Sequence, residues 1–102
     1  MTVYNKLVRD KIPEMIENSG ETAYTRILDQ QEYLIHLEQK LDEEVKEFHR
    51  DRNLEELADI MEVVYALAEA MGESKQELLR SYQRKNDERG GFSKRIFLIA
   101  KE

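Results

Sequence analysis

A chain of 102 residues suffices for one domain with a single core, read here as one unit from residue 1 to 102. Its 40% apolar and 37% charged residues favour a helix-rich chain over a disordered one, and a net charge of -6 argues against a nucleic-acid backbone as partner while suiting recruitment of divalent cations. No apolar run approaches a membrane span, the N-terminus lacks a signal-peptide pattern, and the absence of cysteine excludes disulfides and thiolate metal sites, so the expected address is cytoplasmic, with no membrane partner.

Thr2 to Asp10 is short and mixed, with Lys6, Arg9 and Lys11 close together. Pro13 suits the first turn of a helix and Gly20 its end, which predicts a short helix from Ile12 to Asn18 with Ile12, Met15 and Ile16 inward. Tyr24 to Leu28 favours a strand. Asp29 is an N-cap with Glu32 three residues on, and predicts a capping box opening a long helix to about Asp51. Asp51-Arg52-Asn53 breaks the pattern, and a second helix follows from about Leu54 to Met71. Its apolar set spans more than half the circumference, too wide an arc for one neighbour to cover. That helix is expected to be central, with a homo-oligomer, dimer or tetramer, burying the remainder. Gly72 ends it. Ser74 and Glu77 predict a second capping box on a helix to about Glu88, with Leu78, Leu79 and Tyr82 inward. After Gly90-Gly91, Phe92 to Ala100 alternates like a strand, whose natural partner is Tyr24 to Leu28. The expected fold is an all-α bundle of about four helices carrying a small two-stranded β-ribbon.

Acids on the two central helices stand out. Glu43-Glu44-x-x-Glu47 lies on the first and Glu56-x-x-Asp59 on the second. Residues three apart are neighbours on a helix surface, so Glu44 with Glu47 and Glu56 with Asp59 form two pairs that an antiparallel hairpin brings face to face. The ordinary explanation is a solvated acidic face, and it suits Glu55, Glu62 and Glu69. It suits the two pairs poorly. Glu44 continues the apolar line Leu34, Leu37, Leu41, and Glu56 and Asp59 extend the line Val63, Ala66, Ala70. Carboxylates on a buried seam repel and lose hydration unless a cation joins them. Hard cations such as Mg²⁺ take oxygen ligands and share carboxylates with waters and substrate phosphates, with water as the nucleophile. His36 and His49 form no site, the tyrosines read as core residues, and there is no P-loop, dinucleotide fingerprint or serine triad.

The acid pattern resembles the E-E-x-x-E … E-x-x-D signature of the MazG-like, all-α nucleotide pyrophosphohydrolases. Two flanking stretches, Lys6-Leu7-Val8-Arg9-Asp10-Lys11-Ile12-Pro13 and Arg89-Gly90-Gly91-Phe92, resemble a branch labelled phosphoribosyl-ATP pyrophosphohydrolase-like. Together they extend the resemblance over nearly the whole chain. It implies Glu44, Glu47, Glu56 and Asp59 as ligands of Mg²⁺, with Mn²⁺ as a substitute, and a catalytic role for Glu47. Glu43 would bind a further metal or orient the attacking water. The implied reaction converts a nucleoside triphosphate and water to a monophosphate and pyrophosphate, and the suggested role is clearing non-canonical nucleotides. A triphosphate also needs cationic donors, and Arg9, Lys11, Arg84, Lys85 and Arg89 are the candidates, with Lys94 and Arg95 weaker. Each of these is equally well an ordinary surface base. Two rival readings stand beside this one: a phosphoribosyl-ATP pyrophosphohydrolase, and a non-catalytic helical oligomerisation module whose acids hold a structural ion.

Overall fold

A computed structural model describes residues 1–102. It contains four helices: α1 Ile12–Asn18, α2 Gln30–Asp51, α3 Leu54–Ala70 and α4 Lys75–Arg89. Their ends follow local chemistry. At the start of α2 the Asp29 carboxylate accepts the Glu32 amide at 2.9 Å, and the Glu32 carboxylate accepts the Asp29 amide at 3.4 Å. At its end Arg52 turns left-handed (φ 48°) and donates its amide to the Phe48 carbonyl at 2.7 Å. Asn53 then caps α3 by accepting the Glu56 amide at 2.9 Å. Two residues thus reverse the chain, and so short a connection makes α2 and α3 antiparallel neighbours. At α4 Ser74 accepts the Glu77 amide, but Glu77 turns its carboxylate to Arg80, so the second expected capping box is half formed.

The α2–α3 hairpin is the body of the molecule. Gln30 fastens its open end by donating to the Ala70 carbonyl at 2.8 Å. Helix α3 also meets α4 near their junction, so it is the central element, as its wide apolar arc implied. Helix α1 packs on none of the other three, and Met15, expected inward, is exposed. The buried side chains are Leu37 of α2 and Val63 and Ala68 of α3, joined by one charged residue, Glu44.

The expected β-ribbon is absent. Tyr24–Leu28 and Phe92–Ala100 form no strand and share no backbone hydrogen bond. Alternation in Phe92–Ala100 specifies what a strand there would bury, but a strand also needs a ladder partner and a surface to cover. Neither is within reach: Tyr24 and Ile27 face solvent, and Arg95 at φ 57° interrupts the second segment. The accessible surface is 9506 Å², against about 6,000 Å² for a folded monomer of this mass. The radius of gyration is 17.9 Å, against about 13 Å for a compact chain of this length. No helix is long and apolar enough to cross a membrane.

Candidate metal centre

The hairpin turn sets the site. Glu47 and Glu44 lie one and two turns before the end of α2, and Glu56 and Asp59 occupy the first two turns of α3. Folding back across Arg52-Asn53 therefore brings both pairs to one place. One carboxylate oxygen from each of Glu44, Glu47, Glu56 and Asp59 lies within 4.8 Å of all the others. Glu44 is buried, with 7% of its surface exposed, and the other three are half-buried. The Oε2 atoms of Glu44 and Glu56 are buried without a hydrogen-bond partner. Unpaired buried carboxylate oxygens are costly, and an all-oxygen donor set suits a hard cation.

Burial is the main force raising the Glu44 carboxyl to about 7, reinforced by Glu47 beside it and opposed by Lys40. Glu56 is also raised, first by loss of solvent and then by the charges of Glu47, Asp51 and Asp59. The cluster thus resists carrying its full negative charge without a cation.

Bases surround these acids unevenly. Lys40 Nζ stands 3.6 Å from Glu44 and 3.5 Å from Glu43, and Lys6 reaches Glu43 at 3.6 Å. Glu43 thus lies at the rim, outside the group of four. Arg9 Nη2 donates to Asp59 at 2.6 Å, which ties the segment before α1 to the site. Lys11, Arg84, Lys85 and Arg89 form no ion pair with the acids; the last three are exposed on α4, away from the hairpin's turn. Sequence reading missed Lys40, although its spacing of four from Glu44 was a usable signal.

The Arg9–Asp59 pair occupies an oxygen that an incoming ion needs. Replacing Arg9 by glutamine is expected to tighten Mn²⁺ binding in the absence of nucleotide by about 2- to 5-fold, the range of a partly exposed ion pair. Electron paramagnetic resonance titration measures this, and unchanged or weaker binding contradicts the competition.

Fold and site together define an all-α chain whose central helical hairpin carries a four-carboxylate cluster able to hold a metal ion. A protein of Mycolicibacterium smegmatis (strain ATCC 700084 / mc(2)155), described as uncharacterized, is 50% identical over 54 residues, 49% of this chain and 55% of that protein. The chain thus spans about half the length of this relative. No family model matches the chain, and no solved structure matches it. The likeness to MazG-like enzymes accordingly rests on the motif residues.

Proposed function

We propose that this protein is a Mg²⁺-dependent nucleoside triphosphate pyrophosphohydrolase. The observation that carries this reading is the convergence of four carboxylates, two of which, Glu44 and Glu56, each have a buried oxygen without a partner. Their separations of up to 4.8 Å compare with about 4.1 Å between opposite oxygens around Mg²⁺, so small side-chain rotations would close the set.

Glu44, Glu47, Glu56 and Asp59 would hold the ion. When bound, it neutralises phosphate charge and makes water a better nucleophile. Water oxygen attacks the α-phosphorus, the bond from that phosphorus to the bridging oxygen breaks, and pyrophosphate leaves. Glu43, at the rim beside Lys6 and Lys40, would orient that water and accept its proton. Arg9, once displaced from Asp59, offers a guanidinium fork to phosphate oxygens at the edge of the site. No side chain needs to form a covalent intermediate.

A panel of common and non-canonical nucleotides, together with phosphoribosyl-ATP, tests the reading when pyrophosphate and orthophosphate are measured separately. Expected is Mg²⁺-dependent pyrophosphate release without orthophosphate. Turnover confined to phosphoribosyl-ATP would reassign the substrate. No turnover of any member, with melting unchanged by Mg²⁺, would remove the enzyme altogether.

A further inference from the structure

The segment before α1 is attached to the hairpin at two points, one on each helix. Lys6 Nζ stands 3.6 Å from Glu43 on α2, and Arg9 Nη2 donates to Asp59 on α3 at 2.6 Å. Three residue steps reach up to about 10 Å, and packed helix axes lie about 8–10 Å apart, so residues 6–9 suffice to bridge α2 and α3. Between the two bases, Leu7 is the one residue of the first ten that is not exposed. The bridge runs along the edge of the four-carboxylate cluster, because Asp59 belongs to both.

Little else holds this segment. Met1, Val3 and Tyr4 are exposed, and α1 packs on no other helix. Lys6 and Arg9 are each about half exposed, and ion pairs in that setting hold weakly. Asn5, just before the bridge, is left-handed at φ 47°, a conformation that asparagine adopts more readily than most residues. Just after it, the Arg9 carbonyl accepts the Ile12 amide at 3.0 Å, which joins Arg9 to the first turn of α1. The bridge is therefore free to pivot at Asn5 and carry α1 with it, and no packed helix pair has to separate.

The two anchors have different parts. Arg9 sets a guanidinium against a carboxylate oxygen that a metal ion also needs, so the two cations compete for Asp59. Lys6 pairs with Glu43, which lies outside the group of four, so Lys6 competes for no ligand and only holds the bridge down.

We propose that residues 6–9 form a strap that closes the edge of the acid cluster and is released by the divalent ion. The coupling is reciprocal: the factor by which the seated strap weakens metal binding is the factor by which bound metal loosens the strap. This rests on reading the cluster as a metal centre and not on nucleotide turnover.

Mg²⁺ and Mn²⁺ alone are the probes. The chain has no cysteine, so Val8→Cys takes a single nitroxide label between the two anchors. In chelator the label is expected to be slowed by the hairpin, and Mg²⁺ is expected to convert its paramagnetic resonance spectrum to that of a fast-tumbling label. In unlabelled protein, Lys6→Gln is expected to tighten Mn²⁺ binding by about 2- to 5-fold, although Lys6 touches no ligand. Lys46→Gln is the control for charge alone: Lys46 lines the same groove as Glu43 and Glu47 but lies outside the strap, and its replacement is expected to change Mn²⁺ affinity less. A label equally mobile in chelator and in Mg²⁺, or a Lys6→Gln effect no larger than that of Lys46→Gln, overturns the strap while Mn²⁺ binding keeps the metal centre. If Mn²⁺ does not bind at all, the metal centre and the strap fall together.

Discussion

Replacing Glu47 by glutamine is expected to reduce Mg²⁺-dependent pyrophosphate release at least about 100-fold, the scale for losing one preorganised charge partner in an active site. Glutamine keeps the volume of glutamate but removes the negative charge and points an N–H group at neighbouring acids. Glu47 raises both Glu44 and Glu56, so neutralising it relieves repulsion on both sides of the hairpin. The variant should therefore melt at a higher temperature than wild type without divalent ions, while losing the extra stability that Mg²⁺ confers. This opposite movement separates a lost ligand from a damaged fold, because a damaged fold lowers both quantities. Asp59→Asn should behave similarly and also free Arg9 from its 2.6 Å partner. The measurements are pyrophosphate release, circular dichroism melting with chelator and with Mg²⁺, and Mn²⁺ binding. Wild-type turnover in Glu47→Gln would end the assignment of Glu47 as a ligand.

The metal-free protein is expected to lose stability as pH rises from about 4.5 to about 7, the ordinary and raised values for Glu44. In this interval the folded state keeps a proton on Glu44 that the unfolded chain has released, so the folded state binds more protons and raising the pH favours unfolding. Below the interval both states are protonated, and above it both are ionised and the penalty is constant. The total effect is on the order of 3 kcal/mol. Glu32 acts in the opposite sense: its carboxylate, held down to about 2 by Arg26 and the Asp29 amide, contributes stability that is lost only as pH falls below about 4.5. The two effects therefore occupy different pH windows. Divalent ions need the ionised carboxylates, so their affinity should climb through the Glu44 window and offset the loss. Urea midpoints measured with chelator across this range should fall with pH for wild type and fall less steeply for Glu44→Gln, in which Glu56 is still raised. A level wild-type profile would mean that Glu44 is not held protonated in the folded state.

Much of the fold was legible because its causes are local. The Asp29 capping box, the Arg52-Asn53 break, the Ser74 cap and the apolar spacing of α2 and α3 act within a turn or two of chain, so the ends of all four helices could be read within a residue or so. The two acid pairs were equally legible, since spacing of three places them on one face. The failure at Tyr24–Leu28 and Phe92–Ala100 has the complementary cause: pairing strands requires a partner distant in sequence, which alternation cannot supply.

By itself, then, the sequence determined the helices, their caps and the choice of carboxylate where apolar side chains would continue the seam. Tertiary structure decided that the four acids share one small volume, that Glu44 lies buried with an oxygen unpaired, and that Arg9 and Lys40 rather than the α4 bases stand beside them. The reason is distance along the chain. Helix and cap energies are settled among near neighbours, whereas burial, repulsion and ion pairing depend on which remote segments the turn at Arg52-Asn53 brings together.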